Sequence, residues 1–259
     1  MATALNDVEN TPEGSQKGSQ ASAQVRALLQ LREMILAGEL VGGMRIAELS
    51  IVEKLGVSRT PIRAALMRLA QEGLLEALPS GGYAVRTFSE RDVLDAIELR
   101  GMLEGMSARL AAERLAPAVV LGEARDCLRQ IDAVLNPAAL NDESFTRYVE
   151  LNAKFHTLLS EMAGSSVIAR ELERVISMPF ASPSAFVVAQ ANSPQARDML
   201  VVAQDQHWQV LSAIEQREGS RAEAIMREHS RLAQRNLHSS LRGHESPAIP
   251  GVRLIRKRS

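Results

Sequence analysis

The segment AELSIVEKLGVSRTPIRAAL, residues 47–66, decides the fold of the first part of the chain. Its first half has the apolar spacing of a short amphipathic helix that ends at Gly56, a residue that enters a left-handed turn without steric cost. Ser58 or Thr60 is suited to cap a second helix, whose first turn tolerates Pro61. Two short helices joined by a tight turn of this kind predict a helix-turn-helix.

The second predicted helix has one apolar face and a polar sector at its start. The apolar face consists of residues spaced three, four and seven apart: Ile62, Ala65, Leu66 and Leu69. Arg59, Thr60 and Arg63 fall on the adjacent sector, near the end that a recognition helix presents to the major groove. Arginine pairs bidentately with guanine, and the hydroxyls of Ser58 and Thr60 reach phosphates or base edges. The alternative is a solvated helix face with ordinary surface arginines.

A predicted hairpin follows the helix-turn-helix and favours DNA binding over that alternative. Residues 74–78 and 83–86 have the composition of two short strands, and Pro-Ser-Gly-Gly at residues 79–82 joins them. A glycine-rich tip lets the backbone approach a duplex closely. The sequence therefore predicts a wing beside the recognition helix.

The composition predicts a mainly helical protein of two domains. Apolar residues make up 46% of the 259 residues and aromatic residues only 3%. We expect a disordered arm at residues 1–20, a winged helix-turn-helix domain at 21–88, a helical domain at 89–243 and a flexible basic tail at 244–259. Ser89 resembles a helix cap at the boundary. The helical domain is expected to be an antiparallel bundle of six or seven helices.

Net charge and cysteine content limit the partners and the cellular compartment that the sequence allows. The formal net charge is −1, so any contact with DNA must come from a local basic cluster. The chain has a single cysteine, Cys127, which excludes an internal disulfide and fits a reducing compartment. No apolar run approaches the roughly 20 residues of a membrane span. These features predict a cytoplasmic protein without a membrane partner.

Three histidines have spacing that predicts a metal site. Asn152 and His156 are four residues apart on a predicted helix, so their side chains emerge from one face. His207 and His229 each lie eleven residues from Glu218, in the turn between two predicted helices, and an antiparallel hairpin would bring them level. Such a set suits a divalent transition metal, zinc or alternatively nickel. Taken singly, each histidine has a core or surface position as its alternative interpretation.

From Leu31 to Leu241 the chain resembles the GntR family of bacterial regulators. Residues 31–105, LREMILAGELVGGMRIAELSIVEKLGVSRTPIRAALMRLAQEGLLEALPSGGYAVRTFSERDVLDAIELRGMLEG, look like the family's DNA-binding domain running into its FadR-type subfamily, whose effector domain is called FCD. The part GGYAVRTFSERDVLDAIELRGMLEG is similar to the vanillate-repressor branch. The resemblance implies a DNA-contacting set of Arg45, Ser58, Arg59, Thr60, Arg63, Ser80, Gly81 and Gly82. One family member carries arginine where this chain has Leu49, which removes that contact here.

The resemblance also extends to the sensing domain. FCD domains usually have an aspartate four residues before the first histidine, where this chain has Asn152. An amide oxygen is a neutral and weaker ligand than a carboxylate, so we expect weaker metal retention and a stronger preference for an anionic effector. Arg100 resembles the family arginine that binds a ligand carboxylate. Its alternative role is an ion pair with Glu104, one helical turn further on.

The resemblance implies a homodimeric regulator, in this family more often a repressor than an activator, that binds a near-palindromic operator of a catabolic operon. A small anionic metabolite, an aromatic or other carboxylic acid, would release it from DNA by binding at the metal-containing pocket. A metal-dependent enzyme that uses the histidines is the alternative, but the sequence lacks the G-x-S-x-G and H-E-x-x-H motifs and a phosphate-binding glycine loop. A DNA-packaging protein without an effector is a third interpretation. We therefore expect a regulator and not an enzyme.

Overall fold

A computed structural model describes residues 13–137, 140–178, 180–184, 196–242 and 254–256. Within these ranges the chain is mainly helical, as its composition predicts, and its contacts divide it into two units. The first unit comprises the described residues up to Arg86 apart from Leu36–Gly38, and the second comprises the remainder. None of the described helices is both long enough and apolar enough to cross a membrane.

The described part of the first unit contains three helices and a two-stranded antiparallel sheet. The helices are α1 (Glu13–Leu36), α2 (Glu48–Leu55) and α3 (Arg59–Gln71), and the strands are β1 (Leu75–Ala77) and β2 (Tyr83–Val85). Leu75 pairs with Val85 and Ala77 pairs with Tyr83. The winged helix-turn-helix predicted from the sequence is confirmed.

A glycine sets the turn between α2 and α3. Gly56 lies at φ 61° and ψ 28°, in the left-handed region, and its N–H donates to the carbonyl of Val52 at 3.0 Å. Ser58 precedes α3 in extended conformation, although its side chain makes no capping hydrogen bond. The predicted apolar face of α3 is confirmed, since its members are at most 2% exposed: Ile62, Ala65, Leu66 and Leu69.

The tip of the wing depends on two further glycines. Gly81 and Gly82 lie at φ 85° and 82°, a conformation that residues with a side chain rarely adopt. The N–H of Gly81 donates to the carbonyl of Leu78 at 2.9 Å, and the N–H of Leu78 donates to the carbonyl of Gly82 at 3.0 Å. Both glycines are exposed with open space beside them, so the tip presents backbone to the solvent.

The second unit is a helical bundle, with six helices among its described residues. They are α4 (Glu90–Glu113), α5 (Ala118–Leu135), α6 (Asp142–Met162), α7 (Ser166–Ile176), α8 (Ala196–Glu215) and α9 (Gly219–Arg242). Ser89 caps α4 as predicted, because its Oγ accepts from the N–H of Asp92 while the Asp92 carboxylate accepts from the N–H of Ser89. The core includes Leu128, Tyr148, Phe155, Val210 and Met226.

Helices α4 and α9 pack closely because α4 presents glycines to α9. A Cβ built on Gly101 would lie 2.1 Å from the hydroxyl oxygen of Ser230, and one on Gly105 would lie 2.8 Å from Cγ of Arg227. Contacts between real carbon atoms are not this short, so a methyl group at either glycine would push the two helices or their side chains apart. Both glycines are therefore required for this packing.

The first helix begins earlier than the sequence predicts. Residues 1–20 were expected to form a disordered arm, but α1 begins at Glu13, so this prediction is wrong for residues 13–20. Residues 1–12 lie outside the described part of the chain. The physical reason is that extending an existing helix costs less than nucleating one, and Gln16, Lys17 and Gln20 are residue types with good helix propensity.

The C-terminal segment also differs from its prediction. A strand β4 (Ile255–Arg256) pairs in parallel with β3 (Phe88–Ser89), with Phe88 opposite Ile255. The flexible basic tail predicted for residues 244–259 is therefore wrong for residues 254–256, and the rest of that segment is not described. The reason is burial, since Leu254 and Ile255 are only 1% and 7% exposed and the removal of their apolar side chains from water stabilises the paired strand.

We expect Gly101→Ala to lower the free energy of unfolding by about 1–3 kcal/mol, because the added methyl group overlaps Ser230. This loss outweighs the gain of about 1 kcal/mol in helix propensity. Chemical denaturation of the purified full-length variants measures the change. Gly122→Ala is the matched control, because open space surrounds Gly122 on α5 and no loss is expected there.

The same experiment in a Ser230→Gly background identifies the cause. That substitution removes both the hydroxyl oxygen and the Cβ that the new methyl group would meet at 2.1 and 2.7 Å. Gly101→Ala should then cost much less than it does in the wild type. An equal loss in both backgrounds would show that this close contact does not limit the packing of α4 and α9.

Candidate functional site

The residues predicted to contact DNA lie on the surface of the first unit. All eight are exposed: Arg45, Ser58, Arg59, Thr60, Arg63, Ser80, Gly81 and Gly82. Arg59 and Thr60 stand in the first turn of α3, where the positive end of the helix dipole also attracts phosphate. The guanidinium of Arg45 donates to the carbonyl of Gly81 at 3.0 Å, which connects Arg45 to the wing tip. Their contacts with DNA stay predictions.

Arg63 forms an ion pair with Glu48 of α2. The Nε of Arg63 lies 2.9 Å from both carboxylate oxygens of Glu48, and the two side chains are 67% and 28% exposed. Exposed pairs contribute little stability, so a phosphate or a guanine edge can replace the carboxylate at small cost. Leu49 beside Glu48 is 56% exposed and uncharged, so this position adds no cationic contact.

Three buried histidines converge in the second unit. His156 lies on α6, His207 on α8 and His229 on α9, and they are 4%, 0% and 7% exposed. One ring nitrogen from each lies within 4.8 Å of the others. Their ring centroids are 5.5 Å apart for His156 and His207, 5.4 Å for His156 and His229, and 4.5 Å for His207 and His229. These three rings form the histidine cluster, whose role in binding metal remains a prediction.

Each ring of the cluster uses its Nδ1 for a hydrogen bond to an oxygen atom. The distances are 2.6 Å from His156 to Glu104 Oε1, 3.2 Å from His207 to Gln204 Oε1, and 3.1 Å from His229 to Gln206 Oε1. Because ionised carboxylate and amide oxygens only accept, Nδ1 carries the proton and Nε2 carries a lone pair. The Nε2 atoms of His207 and His229 lie 3.2 Å apart, and that of His156 has no partner among the described residues.

Burial keeps two rings of the cluster, those of His207 and His229, in the neutral form that a metal ligand requires. Burial lowers the pKa of His207 and of His229 well below the ordinary histidine value, and the neighbouring histidines lower it further. Both rings are therefore neutral at pH 7. Burial alone would raise the pKa of Glu104, but His156 and Arg100 outweigh that effect and hold its pKa below the ordinary value. Glu104 is therefore a buried, charged carboxylate.

Asn152 lies at the edge of the histidine cluster. It stands one turn before His156 on α6 and is 2% exposed. Its Nδ2 donates to Oγ of Ser184 at 3.0 Å, while its Oδ1 has no partner among the described residues. With Arg100 and His229 it lines a cavity of about 30 Å³, enough for roughly one or two water molecules.

Arg100 is fully buried against Glu104. Their closest charged atoms, Nη1 and Oε2, are 3.8 Å apart, which is an ion pair but too long for a hydrogen bond. The Nε and Nη1 of Arg100 and the Oε2 of Glu104 have no hydrogen-bond partner in the described structure. Arg100 thus has the ion pair that the sequence offered as an alternative, and it also keeps donors that an anion could use.

Sequence reasoning did not identify Glu104, Gln204 or Gln206 as site residues. Glu104 was considered only as the helix partner of Arg100, whereas its other oxygen serves His156 on a different helix. The Nε2 of Gln204 donates to the carbonyl of Leu128 at 2.9 Å and to Oδ1 of Asp132 at 2.7 Å, so its amide oxygen is turned toward His207. Spacing along α8 gives a weak signal for these glutamines, because both precede His207 by three residues or fewer.

A larger cavity, of about 750 Å³, opens beside His156 and Glu104. It lies between α6 and α7, and its volume is within the range of about 300–1,000 Å³ that is common for ligand pockets. Pro183 lines both this cavity and the smaller one beside Arg100. The histidine cluster therefore lies next to a space that is large enough for a small organic molecule.

The residues present fit a divalent transition metal. Metal-binding histidines commonly donate their other ring N–H to a carboxylate or carbonyl oxygen, as all three rings of the cluster do. The Nε2 lone pairs of the neutral His207 and His229 rings face each other at 3.2 Å, and a cation between them would relieve their repulsion. The buried Nε2 of His156 and Oδ1 of Asn152 are also without partners in the described structure, and a cation would satisfy both.

Two family models match the chain. The model of the FCD domain matches residues 95–232, and the model described as bacterial regulatory proteins, gntR family, matches residues 23–85. The first match contains Arg100 and the histidine cluster. The second contains the helix-turn-helix and the wing, so each matched region holds one of the two candidate sites.

Similar proteins are transcription regulators and not enzymes. An uncharacterized HTH-type regulator of Streptomyces ambofaciens is 37% identical over 137 residues, which are 52% of this chain and 54% of that protein. The Glc operon transcriptional activator of Escherichia coli K12 is 27% identical over 235 residues, 83% of this chain and 89% of the activator. The chain thus spans about half the length of the Streptomyces relative. McbR/YncC of E. coli, a solved structure, shares the fold with a TM-score of 0.60 at 19% identity, covering 85% of this chain and 98% of that one.

We expect Glu104→Gln to weaken divalent metal binding roughly 10–100-fold, because a neutral amide is a poorer acceptor for the Nδ1–H of His156. Titration of the metal-free full-length protein with Co²⁺, followed by its visible absorption band, measures the affinity. Glu98→Gln is the matched control on the same helix, because the side chain of Glu98 is 45% exposed and pairs with Arg227. Unchanged Co²⁺ affinity in Glu104→Gln would exclude this role.

Proposed function

The chain belongs to the gntR family of bacterial regulatory proteins and carries an FCD domain, and from this premise we propose that it represses a catabolic operon in the cytoplasm. A small anionic metabolite, an aromatic or other carboxylic acid, binds at a metal-containing pocket of the FCD domain and releases the repressor from its operator. The gntR-type helix-turn-helix implies DNA as one partner, and the FCD domain implies a small-molecule effector as the other.

One observation supports the DNA-binding role above all others, the exposed start of α3 beside an exposed wing. Arg59, Thr60 and Arg63 are free of the packed interior, so they are available to base edges in the major groove. The guanidinium of Arg45 donates a hydrogen bond to the carbonyl of Gly81 at the wing tip. The exposed guanidinium and the exposed backbone of the tip are both available for contacts with DNA phosphates. Phosphate contacts set the position of the domain, and the residues on α3 select the sequence.

An apolar stripe on α4 supports a homodimer. Leu99, Met102 and Met106 are 44%, 49% and 44% exposed, and their spacing of three and four residues puts them on one face of α4. A second copy would cover this stripe through a symmetric contact, in which the same patch of both subunits meets. A dimer of this kind presents two recognition helices to successive major grooves of a near-palindromic operator.

We assign zinc to the histidine cluster, with nickel compatible with the same donors. His156, His207 and His229 would hold it through Nε2, and Asn152 would add a weaker, neutral oxygen donor. When bound, the metal supplies a positive charge and open positions that accept a carboxylate oxygen. Glu104, Gln204 and Gln206 orient the three rings, because each accepts the Nδ1 proton of one of them.

The balance of charge in this pocket favours an anionic effector. The proposed ligands of the metal are all neutral, and the charge of Glu104 is offset by Arg100 at 3.8 Å. A divalent site therefore keeps a net charge near +2, where an aspartate at position 152 would leave it near +1. Arg100 offers unpartnered N–H groups at the small cavity, which suit a carboxylate oxygen. The 750 Å³ cavity has room for the body of the effector.

Selection of binding sites from randomised duplex DNA, followed by fluorescence anisotropy with the selected site, tests the DNA-binding role. We expect Arg59→Ala and Arg63→Ala each to weaken operator binding about 5- to 150-fold, since a bidentate base contact contributes about 1–3 kcal/mol. Arg129→Ala on α5 removes an arginine that is 63% exposed in the other unit and should leave the affinity unchanged. Wild-type affinity in the Arg59→Ala, Arg63→Ala double variant would refute this recognition surface.

We expect Asn152→Asp to raise zinc affinity roughly tenfold or more, because a carboxylate adds a charged oxygen donor at the cluster. Competition with a zinc-binding dye measures the change. Asn141→Asp is the matched control, because it makes the same substitution at the N-cap of α6, where aspartate caps equally well. If Asn152→Asp binds zinc no more tightly than Asn141→Asp, residue 152 is not a ligand.

A further inference from the structure

The inner end of the 750 Å³ cavity is built to meet a polar or charged group. His156 and Glu104 line it there, and they are 4% and 1% exposed. The Nε2 of His156 and the Oε2 of Glu104 have no hydrogen-bond partner among the described residues. Because a buried polar atom without a partner is destabilising, the Nε2 of His156 is a position that a bound metal cation would satisfy, whereas the Oε2 of Glu104 faces Arg100 at 3.8 Å.

The side walls of the cavity are apolar. Ala169, Leu172 and Ile176 follow one another at spacings of three and four residues along α7, so they lie on one helix face that lines the cavity. Ala153 of α6 and Pro183 line it as well. Walls of this kind favour the hydrocarbon body of a ligand, because apolar surface is removed from water on both sides of the contact.

Two of the exposed residues that line the cavity are carboxylates, and we call the part of the wall where they reach solvent the mouth of the cavity. Glu161 of α6 and Glu173 of α7 line the cavity and are both exposed, and neither forms an ion pair within the described ranges. Glu161 stands five residues beyond His156, which is about 7.5 Å along the axis of α6. The described lining contains no lysine or arginine that would offset this charge.

We propose that the cavity takes a monocarboxylate with an apolar body, aliphatic or aromatic, and that Glu161 and Glu173 reject ligands with a second carboxylate at the far end. This proposal rests on the proposed function, in which the effector carboxylate binds at the histidine cluster. An acid of this class places its charge at the inner end and its hydrocarbon part against α7. A diacid of the same length would bring its second negative charge beside the two glutamates.

The remaining lining permits neutral polar substituents on the ligand. Thr157, Ser160 and Ser165 contribute hydroxyl groups to the cavity, and these groups both donate and accept hydrogen bonds. A hydroxyl or ether group on the ligand is therefore compatible with the site, whereas a distal anion is not. The cavity therefore selects ligands by the charge of their distal group, through Glu161 and Glu173, and tolerates neutral polar groups.

Isothermal titration calorimetry on the full-length zinc-loaded protein tests the proposal with two matched pairs of acids. The aromatic pair is 4-methylbenzoate and terephthalate, and the aliphatic pair is hexanoate and hexanedioate. Within each pair the body is similar in size, and the distal group is a methyl in the monocarboxylate and a carboxylate in the diacid, so that the two acids differ there in both charge and polarity. We expect each monocarboxylate to bind roughly tenfold more tightly than its diacid, with a difference that shrinks as the ionic strength rises.

Charge-neutral variants then identify the source of the discrimination. The Glu161→Gln, Glu173→Gln double variant should bind the diacids more tightly and narrow the difference to about twofold or less, with the monocarboxylates little changed. Glu171→Gln is the matched control, because Glu171 is exposed on α7 but does not line the cavity. This control should keep the full tenfold difference. Neither substitution touches the histidine cluster or the recognition surface.

The outcomes separate this proposal from the proposed function. Diacids that bind as tightly as the monocarboxylates, or a difference that the double variant leaves intact, would overturn the proposal and leave the proposed function in place. If none of the four acids binds while the selected operator is still bound, the cavity does not take carboxylates and this proposal fails together with the effector class. A protein that binds the monocarboxylates but no operator would refute the repressor role alone.

Discussion

The close packing of α4 against α9 is the constraint on which the candidate sensing site depends. Gly101 and Gly105 have no side chain, and so α9 lies directly against the backbone of α4. Arg100 and Glu104 are the neighbours of these glycines in the sequence, and His229 is the neighbour of Ser230. The packing that excludes a methyl group thus also buries a guanidinium and a carboxylate beside the histidine cluster. Such burial is expensive, and it is tolerable here because the two charges lie 3.8 Å apart.

Glu104 contacts both a histidine of the proposed metal site and the arginine proposed to bind the effector. One of its oxygens accepts the Nδ1 proton of His156, and the other faces Arg100. An anion that pairs with Arg100 therefore changes the surroundings of the carboxylate that orients His156. Arg100 and His229 also line the same small cavity, so under the proposed function an effector bound there would lie close to both the carboxylate that orients His156 and the ring of His229. Gln204 and Gln206, both on α8, accept the Nδ1 protons of His207 and His229 and so orient the other two rings.

The parts of the fold that depend on short-range physics were predictable from the residues. Gly56 determines the turn before α3, Gly81 and Gly82 determine the wing tip, and Ser89 with Asp92 determines the start of α4. Two end segments were not. Residues 13–20 extend a helix although they contain almost no apolar side chains, and residues 254–256 find a strand partner at Phe88–Ser89. Composition within a short window contains no information on a partner that lies far away in the chain.

The sequence by itself determined the helix-turn-helix, the wing, and the placement of His207 and His229 at the same level along an antiparallel helix pair. Each of these follows from a helical or strand period and a few turn residues. Only the tertiary structure decided which nitrogen of each ring faces inward, that Glu104 serves His156, and that Glu161 and Glu173 share the mouth of one cavity. The physical reason is that hydrogen bonds and burial at the site join atoms from different helices. Their relative rotation and depth follow from packing in three dimensions, which periodicity along a single helix does not specify.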